Sequence, residues 1–321
     1  MITKLTIEGF RGIARGTLDG LAPLTVLVGP NNSGKSTVLE SLVLVSPDAG
    51  GDSLKDLVDR RGLIGQQSVL SFVPSGAGSI EAIDGERRAR LELKYKDLRL
   101  DGSLQPEGSA FHLGLNDNNG GGWSTGRGED RQARKRIVEA DRAVADPSEL
   151  ERFISWADLA KRRAWLLDVL RPLLPGLKDM RILVPGTRPT VFIEDDSPKP
   201  WPAAMAGDGF KRLLAMAARI ATDESGLSLV EEPETFLHVG ALPQVARLFW
   251  EATAAPRNQQ IVATTHSLEY LDAQFLDATD EELARAALFR LSLRHGELRA
   301  VRVPGEKVRE LRADIGEDLR R

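Results

Sequence analysis

Apolar and polar residues alternate in KLTIEGFRGI. Leu5, Ile7 and Phe10 face one way and Thr6 and Glu8 the other, which predicts a strand near the N-terminus. PLTVLVG, Pro23 to Gly29, is a continuous apolar run of the kind found in strands buried on both faces. PNNSGKS follows, and then TVLESLVLV with helical spacing, so strand, glycine-containing loop and helix succeed one another. Pro47 to Gly65 reads as a loop and a short helix. SIEAIDGERRARLELKYKDLRL predicts antiparallel strands joined at Asp84-Gly85. LNDNNGGGWSTGRGED, Leu115 to Asp130, is the most loop-like segment and reads as a flexible tip. EDRQARKRIVEADRAVA and PSELERFISWADLAKRRAWLLDVLRPLL both read as helices, the second starting at Pro147.

DMRILVPG and TVFIED predict strands, and SPKPWP a break. GDGFKRLLAMAARIA starts with glycines and continues as an amphipathic helix. GLSLVEEPE and QQIVATTHS read as buried strands around a helix over ALPQVARLFWEAT. The tail is a hairpin turning at His295-Gly296, followed by a charged helix from Pro304. Both ends therefore look α/β and the middle looks like an insertion. The expected organisation is one core split by a lobe: residues 1–47, an inserted α+β lobe over 48–200, and residues 201–321.

Bulk properties narrow the class. The 321 residues are 41% hydrophobic and 28% charged with a net charge of −4, as in an ordinary soluble globular protein without a bulk basic footprint for nucleic acid. There is no cysteine, which excludes disulfides and thiolate metal sites. No stretch approaches the ~18 consecutive apolar residues of a membrane helix. The N-terminus lacks the apolar core of a signal peptide, so the expectation is a cytoplasmic protein with no membrane partner.

The sharpest chemical signal is GPNNSGKS. Gly29, four residues, then Gly34-Lys35-Ser36 matches the P-loop spacing, between a predicted strand and a predicted helix. Backbone N–H groups of such a loop and the positive end of the helix cradle phosphates. Lys35 adds a point charge toward the β- and γ-phosphates, and the Ser36 hydroxyl is a Mg²⁺ ligand. Gly34 permits close backbone approach, and Asn31 and Asn32 tolerate left-handed geometry. Gly29, Asn31, Asn32, Ser33, Gly34, Lys35 and Ser36 are thus the candidate nucleotide-binding set.

A P-loop needs an acid from a distant strand end. In LSLVEEPE, Glu231 is that acid and completes the metal set with Ser36, while Glu232 is placed to polarise the attacking water. The charge repulsion between the two acids predicts a raised pKa for one of them when no nucleotide is bound. Glu234 reads as structural or interfacial. IVATTHS ends another buried strand, so His266 lies at the carboxyl edge of a sheet, where ligands bind, and can orient water. Lys35, Glu232 and His266 form the candidate catalytic set. His238 reads as a cap or packing residue, and His112 and His295 as loop residues.

These motifs, in this order, resemble the ABC-type ATPases. More closely they resemble the branch holding the OLD-family ATPases, RecF and the SMC-like repair proteins, as a stand-alone AAA_15 or AAA_21-type ATPase lacking a TOPRIM domain. IEGFRGI, VGPNNSGKSTVLESL, VEEPETFLH and ATTHS carry the resemblance, with the tail LFRLSLRHGEL. It implies an α/β P-loop NTPase of ABC-ATPase type, a mixed sheet with an inserted lobe, and ATP and Mg²⁺ as cofactors. Arg11 of the FRG segment and Thr37 join the nucleotide-binding set by this resemblance. Two heads then sandwich two ATP, with a signature loop from each completing the other's site. The candidate loop here is AGDGFKRLL, with Gly207 and Gly209 toward nucleotide and Lys211 or Arg212 as charge donors in trans. It lacks the serine of the transporter form. For a Q-loop, Gln66 and Gln67 are the candidates.

The resemblance implies an Mg-dependent ATPase switch, dimeric or of higher homo-oligomeric state, working with a separate effector protein in phage defence or DNA maintenance. OLD nucleases carry a TOPRIM domain after the ATPase, and the effector is therefore expected on another chain. A RecF-like DNA clamp is the alternative, with the arginines of DRQARKR and AKRR as its candidate stripe and DNA as a ligand. A transporter energiser is disfavoured by the missing serine. A P-loop kinase is disfavoured because adjacent glutamates and His266 suit water activation.

Overall fold

The computed structural model describes residues 1–46, 57, 72–96, 99–105, 109–116, 122–125, 137–138, 147–222 and 226–320. They form two compact units. One comprises Met1–Ile137, Ala287–Pro304 and Leu319–Arg321; the other comprises Val138–Ala286 and Gly305–Asp318.

The first unit opens with β1 (Lys4–Phe10), β2 (Ile13–Asp19) and β3 (Leu24–Val28), then helix α1 (Lys35–Leu44). It continues through β4 (Ala77–Asp84), β5 (Arg87–Lys96), β6 (Arg99–Gln105), β7 (Ser109–Asn116) and β8 (Gly122–Thr125). Every residue of β3 is buried, as its unbroken apolar run requires. In β1, Leu5, Ile7 and Phe10 are buried. Chain order and sheet order differ: the strands lie β8-β7-β6-β5-β4-β1-β2, followed by the two C-terminal strands and β3. The β4–β5 hairpin closes with Asp84 opposite Arg87 and Gly85 at φ 57°, a turn that favours glycine.

The second unit begins around β9 (Ile137–Val138), an extended pair inside a segment that the sequence pattern assigns to a helix. Helices α2 (Pro147–Leu159) and α3 (Arg163–Leu170) replace the single long helix expected there. The chain breaks at Lys161, whose φ of 56° is left-handed and ends a helical turn. β10 (Asp179–Leu183), β11 (Thr190–Glu194) and β12 (Trp201–Pro202) form a small antiparallel sheet. Helix α4 (Asp208–Thr222) packs on α2 and α3 through an apolar face that includes Leu213, Leu214, Ala217 and Ile220. β13 (Leu227–Glu231) and β14 (Gln260–Thr264) pair in parallel, with Glu231 opposite Thr264. Between them runs α5 (Leu242–Thr253), with a proline in its first turn. After β14 come α6 (Leu268–Phe275), capped by Ser267, and α7 (Asp280–Ala284), which begins with a capping box at Thr279.

The tail returns to the first unit as a hairpin of β15 (Ala286–Arg294) and β16 (Glu297–Pro304). Its two-residue turn has φ 50° at His295 and 81° at Gly296, as the sequence predicts. β16 runs parallel to β2, so the sheet is mixed. Helix α8 (Gly305–Glu310) follows in the second unit.

Further sequence expectations need correction or fall outside the described residues. The loop expected over Leu115–Asp130 is partly strand: β7 runs to Asn116, and Gly122 pairs back onto it. His112, expected in a loop, is a strand residue opposite Asp101, because the β6–β7 ladder pairs the chain through it. Pro47–Gly65, Gln66, Gln67 and the DRQARKR stripe lie outside the described residues, except Leu57, which is helical and buried.

Candidate nucleotide site

In the first unit, the chain leaves buried β3 and enters α1 through Gly29–Gly34. Gly29 has φ 147°, and a Cβ there would lie 2.3 Å from the Leu291 carbonyl oxygen and 2.7 Å from Ser33 Oγ. Only glycine fits. Asn32 (φ 61°) and Gly34 (φ 94°) are left-handed as well, so the loop curls its backbone ahead of the helix. Such a curl turns successive N–H groups to one side, which makes an anion-binding concavity. Lys35 begins the helix and is 7% exposed, and Ser33 is buried at 2%. Lys35 Nζ donates to the carbonyls of Gly29 at 2.9 Å and Pro30 at 3.0 Å. Its charge is thereby held on the loop. Ser36 and Thr37 continue the first turn, and the Thr37 carbonyl accepts from Ser41 Oγ at 2.8 Å.

Arg11 has φ 52°, and its guanidinium pairs with Glu40 of α1, whose side chain is fully buried, while lying 5.9 Å from the Phe72 ring centroid. This side chain anchors β1 to the phosphate-loop helix. Glu40→Ala would leave a partly enclosed arginine without its acid, and a loss of about 1–3 kcal/mol in chemical denaturation is expected.

In the second unit, Glu231 ends β13 and Glu232 begins the turn. Glu232 has φ 46°, a conformation that is strained for a side chain with a Cβ. Several bonds over-determine it. Its N–H donates to the Thr264 carbonyl at 3.1 Å, its carbonyl accepts from Arg212 Nη2 at 2.6 Å, and its Oε2 accepts from Thr235 Oγ1 at 3.2 Å. Strain held in this way is a mark of functional sites. His266 Nε2 lies 3.8 Å from Glu232 Oε1, so the structure brings these two predicted residues together.

The pKa of the Glu234 carboxyl is raised. Burial is the main cause, and the charge of Glu232 adds to it. It accepts from the Thr265 hydroxyl at 2.6 Å and the His266 N–H at 3.1 Å. The sequence carried a signal for this, a third acid in EEPE and a hydroxyl before the histidine, but no hint that they meet. His238 caps the turn before α5, its Nδ1 accepting from the Gly240 N–H at 3.1 Å.

Gly207 precedes α4, its carbonyl accepting from the Lys211 N–H at 3.2 Å, and Gly209 lies in the first turn. A Cβ on Gly209 would lie 3.4 Å from Leu237 Cδ2, so the loop after the glutamates runs beside this helix start. The two proposed donors in trans are otherwise engaged. Arg212 is 2% exposed and turned inward to Glu232, because it lies on the buried face of an amphipathic helix. Lys211 pairs with Asp208 at 2.7 Å. In AKRR, Arg163 pairs with Asp158 and with Asp179, a structural use of that charge.

The donor set fits Mg-nucleotide. The phosphate loop is a cradle that a single Cβ at Gly29 would fill. In the first unit, the Ser36 hydroxyl on the first turn of α1 is a hard oxygen donor of the kind Mg²⁺ takes beside phosphate oxygens. Among the described residues, no group of three or more His, Asp or Glu side chains gathers to hold an ion. Also among the described residues, no helix is long and apolar enough to cross a membrane.

A strand, a phosphate loop heading a helix, and a parallel strand pair ending in acids and a histidine define a P-loop NTPase of ABC-ATPase type. The chain belongs to the AAA_21 family, described as "AAA domain, putative AbiEii toxin, Type IV TA system", which matches residues 24–272. It is similar to the uncharacterized protein MJECL10 of Methanocaldococcus jannaschii, 30% identical over 86 residues. That match takes in 25% of this chain and 39% of the relative's length, so the chain spans well under half of the relative. Among solved structures, it is similar to an Smc head bound to the C-terminal winged-helix domain of ScpA, with a TM-score of 0.61 at 16% identity over 94% of this chain and 97% of the other. A second is an Smc head with an extended coiled coil, bound to the C-terminal domain of ScpA derived from Pyrococcus furiosus. It gives 0.57 at 12% identity over 98% and 99%. The fold is therefore that of an SMC-head ATPase, α/β with a mixed sheet, and the family is one of ATPase domains.

Proposed function

We propose that the chain is an Mg-dependent ATP-hydrolysing switch that dimerises through nucleotide and acts on a separate effector protein. The phosphate cradle of Gly29–Ser36, where a Cβ would collide with backbone, is the observation that carries the nucleotide reading. Lys35 and the loop N–H groups bind the phosphates, with Thr37 in the same helix turn. Ser36 and Glu231 would hold Mg²⁺, which would neutralise charge on the phosphates. Glu232 takes a proton from the attacking water, and His266 orients that water. Gly207 and Gly209, at an accessible helix start, face the nucleotide of a second copy. The family's description in terms of a toxin–antitoxin system favours a role in defence, with DNA maintenance as the neighbouring reading.

Steady-state Mg-ATPase of the purified chain, with and without double-stranded DNA, tests this. Turnover that disappears in Lys35→Ala supports the switch. Turnover equal in that variant would sink it. Stimulation by DNA that weakens steeply with salt would move the reading to a DNA clamp.

A further inference from the structure

Glu234 has no part in the mechanism just given, yet it joins the two strand ends of the second unit. Its Oε1 accepts two hydrogen bonds from across the parallel pair, from Thr265 Oγ1 at 2.6 Å and from the His266 N–H at 3.1 Å. Its Oε2 is buried with no hydrogen-bond partner among the described residues. Burying a carboxyl group this way costs stability unless the contacts it makes are needed.

The contacts reach further than Thr265. Thr265 Oγ1 also accepts from the Ser267 N–H at 2.9 Å, and Ser267 Oγ accepts from the Tyr270 N–H at 3.0 Å, capping α6. One carboxyl group therefore fixes the whole strand-to-helix turn that carries His266. On its own side, Glu234 belongs to a turn closed by the Thr235 N–H to the Glu232 carbonyl and by the Leu237 N–H to its own carbonyl, each at 3.0 Å. The groups facing it are Thr265 and His266 from the β14 side, Glu232 from its own turn, and the phenol of fully buried Tyr270 from α6. The His266 Nε2 to Glu232 Oε1 separation of 3.8 Å is too long for a direct bond. At that separation both groups can hold one water between them.

We propose that Glu234 is a positioning residue for hydrolysis, which latches the Thr265–His266 turn to the Glu232 turn and so sets the spacing of the water-handling pair. The inference rests on the reading of Glu232 and His266 given above. Glutamate suits the place because its length spans the two turns and its oxygen accepts both bonds. Glutamine keeps that acceptor; alanine removes it.

The test compares Glu234→Ala and Glu234→Gln in the intact chain, by MgATP kinetics and by amide hydrogen exchange at His266. Glu234→Ala is expected to lower kcat by about tenfold to a hundredfold with KM within about twofold, since the loss is one of alignment rather than nucleotide binding. The His266 amide should exchange faster in it. Glu234→Gln is expected to keep kcat within about threefold and the amide protected. Unchanged His266 exchange in Glu234→Ala, or equal impairment of the two variants, would overturn the latch. Should the alanine variant not fold, Thr265→Val takes its place. It removes one of the two bonds, and an undiminished kcat in it would overturn the proposal as well. An inactive native chain would count against the ATPase reading, and the His266 exchange measurement would still decide the latch.

Discussion

Glu232→Gln is expected to bind MgATP with native affinity and to hydrolyse it about 10²–10⁴-fold more slowly, the usual span for removing a general base. The substitution is nearly isosteric, and what fixes Glu232 is mostly backbone. The bonds to the Thr264 carbonyl and from Arg212 engage its N–H and carbonyl, and neither depends on the carboxylate. Thr235 donates to Oε2, and glutamine can present an oxygen to it in the same place. The φ of 46° therefore persists in the variant, and the only chemistry removed is proton acceptance. Single-turnover hydrolysis and equilibrium nucleotide binding, measured side by side, separate these effects. In the proposed switch hydrolysis releases the nucleotide-held pair, so the same variant should accumulate as an ATP-dependent dimer in size-exclusion chromatography. Unchanged turnover would remove Glu232 from the mechanism.

The phosphate loop was legible in the sequence because its information is local. Gly29, Asn32 and Gly34 are residue types chosen for backbone angles, and those angles appear where the spacing places them. The buried strands were legible for a similar reason, since β3, β13 and β14 are short apolar runs whose burial follows from composition. What stayed hidden depends on contacts between distant residues. Arg212 looked like a surface charge in AGDGFKRLL, but helix phase turns it inward to Glu232, twenty residues on. The raised carboxyl pKa of Glu234 had no signal in the sequence, because its main cause is burial and burial is set by packing. Where Asn and Gly crowd together, as in LNDNNGGGW, turn chemistry masks the strands on either side. The break at Lys161 has no proline or glycine to announce it.

Lys35→Ala is expected to weaken MgATP binding by about 10–150-fold, equivalent to ~1.5–3 kcal/mol for losing a hydrogen bond to a charged group. Lys35 Nζ already lies against the phosphate loop, bonded to the Gly29 and Pro30 carbonyls, so its charge needs little reorganisation to meet an incoming phosphate. The fold should survive. Lys35 is the first residue of α1, where alanine is well tolerated, and the two carbonyls that lose a partner are at a loop that solvent can reach once the long side chain is gone. Gly29→Ala makes the informative contrast. Its Cβ would press on the Leu291 carbonyl oxygen at 2.3 Å, so it should lose binding and thermal stability together. Calorimetric titration in the Glu232→Gln background avoids turnover during the measurement. Native affinity in Lys35→Ala would mean that the loop does not hold the nucleotide. Loss of affinity with an unshifted melting temperature would place the lysine charge itself on the phosphates.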